Sequence, residues 1–437
     1  MEKKELKPVY PFSTTPNHVE EFEFDGKNTQ KVEGKEECVK EVKRLIWLAG
    51  PLITVGFLQY SLQMISVIFV GHLGELSLSS ASMATSFAGV TGFILILGMG
   101  SALDTFCGQA YGAKQYHMLG VHMQRAIYNL ENKGAALANA VSYWTNVLML
   151  ALYIKFSSAC KHTWTGLSKD ALNDSLNFLK LAIPSAFMIS LEYWPYEILV
   201  IMSGFLPNPK LETSMMSISF DTCCLVFRIP YGLGSAVSTR VSNELGAGNP
   251  QVASLAARVV LFMTLTVGIL VAVTLLLARG VWGYLYSNEE ELVTYLGAIM
   301  PVLVVSNFMN GIQAVLSGVA RGCGWQKIGA FVNLGAYYLV GLPSAIVLTF
   351  VFHIGGKGFW MGITCGSSLQ AFLLLMVTLR TNWEQEANKA RARVFSAYIP
   401  VAGTKTMHDL SAGHVQPEET QALKYHIIAQ QLKESFP

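Results

Sequence analysis

Residues 48–73 read LAGPLITVGFLQYSLQMISVIFVGHL, and residues 181–206 read LAIPSAFMISLEYWPYEILVIMSGFL. At a constant offset of 133 the two share Leu48/Leu181, Ala49/Ala182, Pro51/Pro184, Leu58/Leu191, Tyr60/Tyr193, Ile65/Ile198, Val67/Val200, Ile68/Ile201, Gly71/Gly204 and Leu73/Leu206. Chance similarity among apolar segments is built from Leu and Val; these matches also carry Pro, Tyr and Gly. The next stretch repeats too. Gly98-Met-Gly-Ser-Ala-Leu-Asp-Thr105 aligns with Gly232-Leu-Gly-Ser-Ala-Val-Ser-Thr239 at an offset of 134, followed by Gly112-Ala113 with Gly246-Ala247. Lys133-Gly134 and Lys357-Gly358 open the last matching stretch of each half. The chain is therefore read as two related halves.

What kind of halves follows from composition. Of 437 residues, 52% are hydrophobic and 14% charged, against about 25% charged in soluble domains. Nine stretches are apolar for about the 20 residues that a membrane span needs: 46–70, 80–103, 135–156, 181–203, 213–235, 252–277, 293–316, 328–352 and 358–379. A backbone in lipid must satisfy its own hydrogen bonds, so these are read as helices. Gly98, Gly100, Gly232 and Gly234 lie within spans, where small residues let helices approach closely. The expectation is an all-α polytopic membrane protein whose partner is the lipid bilayer. A net charge of +2 argues neither for nor against a nucleic-acid partner, and none is expected. The seven cysteines are scattered, without metal-like spacing or a disulfide frame. No metal or cofactor is expected, and P-loop, H-E-x-x-H, G-x-S-x-G and dinucleotide motifs are absent. The first 45 residues are polar, so no cleavable signal peptide is expected and the first span acts as its own insertion signal. Trp383–Arg393 reads as a charged helical stub. The rest of the tail has little apolar patterning and is expected to be poorly ordered.

The halves are unequal. Gly234 precedes Lys357 by 123 residues, whereas Gly100 precedes Lys133 by 33. The shortfall of 90 residues is room for three spans with their loops, so a 6 + 6 parent is expected to have become 3 + 6. The junction falls near Ile127–Leu130, where Met118–Tyr128 reads as a helix that stops early. Charge bias agrees. Lys and Arg gather on the cytoplasmic side of spans, and here they gather at both ends of span 135–156, a conflict that the loss of an odd number of spans produces. The expected organisation is a cytosolic segment 1–45, an incomplete first lobe 46–156, a linker 157–180, a second lobe 181–380 with six spans, and a cytosolic tail 381–437.

Ionisable groups inside spans are costly and tend to be functional. Here they concentrate in the second half: Glu192, Glu197, Asp221, Arg228 and Arg258. Glu197 follows Pro195 by two residues near the middle of its span. Proline opens the helical hydrogen-bond ladder and can serve as a hinge, and a carboxyl in a low-dielectric cavity can exchange a proton near neutral pH. Glu192 lies about 140° away around the same helix. Asp221 and Arg228, seven apart on one face, are read as an ion pair, and Arg258 as a snorkelling span-end cation.

Several long motifs resemble the MATE (multidrug and toxic compound extrusion) family in its plant detoxification-carrier branch. They are Cys107-Gly-Gln-Ala-Tyr-Gly-Ala-Lys114, Gly204-Phe-Leu-Pro-Asn-Pro-Lys-Leu-Glu-Thr213, Arg240-Val-Ser-Asn-Glu-Leu-Gly-Ala-Gly248 and Leu316-Ser-Gly-Val-Ala-Arg-Gly-Cys-Gly-Trp-Gln326. The resemblance covers about residues 40–393 apart from the gap. It implies a MATE-like two-lobe helical bundle around a central cavity. It also implies an antiporter that exports small organic compounds in exchange for protons or sodium ions by alternating access, at the vacuolar or plasma membrane. The acidic residue matching Glu197 is associated in that branch with proton coupling. Where the branch often has another acid, three positions before Gln313, this chain has Asn310, which cannot titrate. Gln59, Tyr60, Gln63, Glu192, Asn307, Asn310 and Gln313 are the candidate cavity residues, and Pro195 the candidate hinge. The rival expectation is a truncated, non-transporting isoform or gene model of such a transporter.

Overall fold

The computed structural model describes residues 26–72, 94–122 and 175–402. The chain divides into two compact units, Met1–Lys40 and Glu41–Pro437. The described part of the first is the opening of helix α1 (Gly26–His72), where Lys40 lies 4.0 Å from Glu36 one turn earlier. Residues 26–45 belong to the segment 1–45 expected in the cytosol. They form one helix with the first expected span, because Lys and Glu are good helix formers, and that helix runs on through Pro51 to His72.

The second unit continues α1 and adds α2 (Ile94–Gly112), α3 (Ser175–Ser203), α4 (Pro209–Ala247), α5 (Pro250–Ala278), a 3₁₀ turn at Trp282–Leu285, α6 (Glu290–Cys323), α7 (Gln326–Val351), α8 (Gly356–Leu379) and α9 (Trp383–Ala402). No strand occurs among the described residues. Four of these helices, α5 to α8, are long and apolar enough to cross a membrane by length and composition. The expected spans 46–70, 181–203 and 213–235 fall within α1, α3 and α4, and α2 holds span 80–103 from residue 94 onward. Span 135–156, the junction near Ile127–Leu130 and the tail beyond residue 402 lie outside the described residues. The expected linker 157–180 is helical from Ser175, because Phe178 packs with Ala102, Leu103 and Phe106 of α2. The stub at Trp383–Arg393 is a longer helix, ending at Ala402.

Helix ends are written in the sequence. Pro209 and Pro250 stand at first-turn positions, where a missing N–H costs nothing. Gly248 and Gly324 close α4 and α6 at φ of 80° and 83°, a left-handed cap that glycine adopts without strain. One feature of α7 was not expected: its turns widen to π geometry at Leu334–Gly341 and Val347–Val351, on either side of Pro343. Proline withholds one backbone donor and crowds the preceding turn, so the ladder re-forms with longer steps.

The core has two textures. One cluster is bulky, with Met215, Ile218, Leu296, Ile299, Tyr337, Phe359 and Trp360 among its buried members. The other is built largely from Ala and Val, including Ala236, Val237, Ala253, Ala256, Ala257, Val315, Val319 and Ala320. Small side chains bring backbones together there: a Cβ on Gly234 would sit 2.7 Å from the carbonyl oxygen of Ala314. In lipid this close packing, rather than expulsion of water, holds helices side by side.

Candidate functional site

Helices α3, α4 and α6 enclose a cleft with about 380 Å³ of empty space. From α3 come Glu192, Tyr193 and Tyr196; from α4 Phe220, Cys223, Cys224 and Phe227; from α6 Asn310 and Gln313. The spacings explain the arrangement. Glu192 and Tyr196 are one helical turn apart, as are Asn310 and Gln313, so each pair shares a face. The polar groups meet across the gap. Gln313 Nε2 donates to Glu192 Oε1 at 2.8 Å, Ser317 Oγ donates to Gln313 Oε1 at 3.1 Å, and the Tyr196 hydroxyl donates to Asn310 Oδ1 at 2.9 Å. Behind them Gln370 Nε2 donates to Asn333 Oδ1 and Asn333 Nδ2 to the carbonyl of Met188, both at 2.7 Å. The remaining wall is aromatic, with Tyr193 edge-on to Phe227 at 6.3 Å and Tyr196 within 6.3 Å of Phe220, Tyr337 and Trp360. A carboxyl and two amides among aromatic faces can hold a small organic molecule by both its polar and its apolar parts.

Three of the candidates, Glu192, Asn310 and Gln313, are thus brought together. Others are not. Glu197 is buried at 9% exposure, but five residues from Glu192 it faces another way and does not line the cleft. Helix α3 runs unbroken through Pro195. Asn307 donates to the carbonyl of Leu303 at 3.0 Å and to Cys223 Sγ at 3.3 Å. It lines a separate apolar crevice of about 400 Å³ with Pro230, Gly268 and Phe308. Gln59 is exposed on α1, and Gln63 lies on α1 with its side chain outside the described residues. The aromatic wall and the buried amides Asn333 and Gln370 were missed in the sequence. Their signal was available: Tyr193 is the repeat counterpart of Tyr60, and amides are costly within an apolar helix unless they have partners.

The expected ion pair between Asp221 and Arg228 is not formed. Tyr60 engages both instead, its hydroxyl donating to Asp221 Oδ1 at 2.8 Å and its ring lying 4.8 Å beneath the Arg228 guanidinium. Seven residues are about 10 Å along a helix, and a side chain from another helix fills that gap. Two arginines, each paired with acidic side chains, hold the end where Lys and Arg gather. Arg321 is 3.5 Å from Asp104, and Arg240 is gripped by Glu41 through Nε at 2.7 Å and Nη2 at 3.1 Å, with Glu244 on its third nitrogen. Burial works against the charge on Arg240, but the bonds to Glu41 and the nearby Glu244 outweigh it and raise its pKa.

Known proteins match along most of this chain. The MatE family matches over residues 51–159 and again over 184–347, two matches that begin 133 residues apart. Protein DETOXIFICATION 16 of Arabidopsis thaliana is 47% identical over 453 residues, covering 83% of this chain and 93% of that protein. Protein DETOXIFICATION 17 of the same plant is 44% identical, covering 85% and 96%. Since 83% of 437 residues is about 363, some 90 positions of the first alignment have no residue of this chain opposite them. The crystal structure of the eukaryotic MATE transporter AtDTX14 superposes with a TM-score of 0.76 at 39% identity, covering 82% of this chain and 100% of that one. That of a mutant of the Vibrio cholerae MATE transporter VcmN gives 0.64 at 13% identity and shares the fold.

Proposed function

The chain belongs to the MatE family of membrane transporters, and from that premise we propose that it is a secondary antiporter exporting organic compounds, such as secondary metabolites and xenobiotics, in exchange for protons by alternating access. It is an integral membrane protein and not an enzyme. The observation that supports the finer reading best is the cleft itself: a buried carboxyl group, that of Glu192, accepting from Gln313 at 2.8 Å among aromatic walls. An ionisable group inside a membrane helix is costly and marks a pathway. In the proposed cycle Glu197 takes up the coupling proton and α3 bends near Pro195. Glu192, Asn310 and Gln313 hold the organic molecule until the cavity reopens on the other side. Gln59, Tyr60, Gln63 and Asn307 are secondary candidates for the wall. The vacuolar or plasma membrane is the proposed location, and sodium is the alternative coupling ion.

The test is transport by the purified chain in proteoliposomes under an imposed pH gradient, with sodium replaced by choline in a parallel set. The Glu197→Gln chain is expected to lose gradient-driven transport while still binding substrate, and Glu192→Gln to bind substrate more weakly. Equal gradient-driven transport by the unmodified and Glu197→Gln chains would remove Glu197 from the coupling step. A second reading is favoured by the roughly 90 unmatched alignment positions: a shortened, non-transporting form that lacks three spans of one lobe. It predicts a folded chain that binds no substrate and moves none.

A further inference from the structure

The apolar crevice behind the cleft has no part in the transport reading. It lies between α4, α5 and α6, with about 400 Å³ of empty space, and follows α5 from Thr264 to Leu275. That is eleven residues, about 16 Å of helix. The polar donors in its wall are engaged elsewhere. Thr264 Oγ1 donates to the carbonyl of Val260 at 2.8 Å, and Asn307 Nδ2 donates to the carbonyl of Leu303 and to Cys223 Sγ. Room comes from Pro230, Gly268, Ala272 and Gly311; the rest of the wall is Val, Leu, Ile and Phe. A Cβ on Gly268 would meet the Phe308 ring at 3.0 Å, and one on Gly311 would lie 3.6 Å from Thr264. A polar ligand would find no partner on such a wall, whereas a hydrocarbon chain needs none.

The crevice borders the bilayer. Val267, Gly268, Val271 and Ala272 are half-buried, and Ile269, Leu270 and Val273 among them are exposed. Of the four helices of membrane-spanning length and composition, α5 is the most apolar and the least buried. A cation stands nearer the membrane surface. Arg258 is exposed and has no ion pair among the described residues. It follows Pro250 by eight residues, and Arg240 precedes Gly248 by eight, so the two stand level on either side of the turn that joins α4 to α5. Arg240 is paired with Glu41 and Glu244; Arg258 is left to meet an anion from outside the chain. The charge bias assigns this end to the cytosol, where the leaflet carries anionic phospholipid. Thr264 lies six residues beyond Arg258, about 9 Å deeper in the membrane. A chain hung from a headgroup at Arg258 therefore enters the crevice partway along its length.

We propose that α4, α5 and α6 form a binding site for an anionic phospholipid of the cytosolic leaflet, with its phosphate against Arg258 and the distal part of one acyl chain in the crevice. The site is separate from the cleft and does not rest on the transport reading. A guanidinium holds a phosphate through parallel N–H donors. Within lipid nothing is gained by leaving water, so the acyl chain is held by dispersion contacts with the crevice walls.

The experiment uses the full chain in phosphatidylcholine nanodiscs that carry a trace of phosphatidylglycerol with a photoactivatable diazirine near the end of one acyl chain. A phosphatidylcholine probe with the same chain is the comparison, and crosslinked peptides are read by mass spectrometry. The anionic probe should mark the Thr264–Leu275 stretch of α5 more strongly than its neutral counterpart, and unlabelled phosphatidylglycerol should compete the mark away. Arg258→Gln should reduce the preference for the anionic probe about fivefold, the worth of one arginine near a membrane surface. Ala272→Leu, which fills the crevice, should weaken the mark, while Val273→Leu on the exposed face should leave it unchanged. Equal marking by the two probes in the unmodified chain would overturn the proposal, since bulk lipid passing over an apolar surface gives that result. A preference that survives Arg258→Gln, or a mark that survives Ala272→Leu in chains that elute and melt as folded protein, would overturn it too. Should Ala272→Leu fail to fold, competition on the unmodified chain decides: a mark that unlabelled phosphatidylglycerol does not diminish would overturn the proposal.

Discussion

Tyr60 donates to Asp221 and lays its ring against Arg228, so one phenol tends two charged groups that share no direct bond. Replacing Tyr60 by Phe keeps the ring and orphans Asp221 Oδ1, whose sister Oδ2 already has no hydrogen-bond partner. Leaving a buried acceptor unmet costs about 1–3 kcal/mol. The Tyr60→Phe chain in detergent should therefore melt at a lower temperature, and combining it with Asp221→Asn should recover part of the loss. A melting point equal to that of the unmodified chain would mean that the bond contributes nothing. The sequence singled out Tyr60, Asp221 and Arg228 for their polarity within spans, but it paired Asp221 with Arg228. Spacing along one helix tells which groups share a face; it does not tell which group from another helix comes between them. The same limit hid the cleft wall. Glu192, Asn310 and Gln313 were legible as polar residues in apolar helices, whereas Tyr196 and Phe220 look like any lipid-facing aromatic until the helices are brought together.

At the scale of elements, the punctuation was the most legible part: Gly248-Asn249-Pro250 ends one helix and starts the next within three residues. Less legible was what α9 does with its charges. Arg391 Nη2 donates to the carbonyl of Ala247 at 2.9 Å, and Arg393 Nη2 to that of Cys323 at 2.7 Å. Two arginines on one short helix thus cap the ends of α4 and α6, where unpaired carbonyls and the helix dipole favour a cation. The indole of Trp325 donates to Glu386 Oε2 at 3.0 Å and fastens the start of α9. Burial lowers the pKa of the Arg393 guanidinium. Charge-assisted hydrogen bonds contribute about 1.5–3 kcal/mol. Arg393→Ala should therefore destabilise the chain clearly, and the more exposed Arg391→Ala should do so less, by thermal melts. Equal, negligible effects would show that α9 is an appendage, as its composition alone suggested. The π turns of α7 were not read in advance because Pro343 announces only that a ladder is disturbed, and neighbouring helices settle how it is repaired.

At the scale of the whole molecule, the repeat and its shortfall were legible because Pro, Gly and Tyr recur at a fixed offset, and the MatE family matches begin at that same separation. Helices α2 and α4, repeat counterparts at an offset of 134, differ in what their polar side chains bond. Gln109 bonds the end of α6, while its counterpart Asn243 has an Oδ1 with no hydrogen-bond partner, and Thr239, the counterpart of Thr105, turns back to the carbonyl of Ser235 at 3.1 Å. Under the proposed 3 + 6 organisation, the first-half helix that would meet Asn243 and Thr239 is among those lost. Topology can be read at Asn173-Asp174-Ser175, a glycosylation sequon. With the second lobe in the orientation that its charge bias favours, the sequon stays in the cytosol and bare. A mobility shift on glycosidase treatment would instead report an inverted second lobe. The most direct measurement of the central claim is accumulation of a labelled organic compound by proteoliposomes containing this chain, with an outward-directed proton gradient driving uptake. The account predicts uptake above that of empty liposomes, abolished by an uncoupler and by Glu197→Gln. Uptake no greater than in empty liposomes, by a chain shown to be folded, would contradict it.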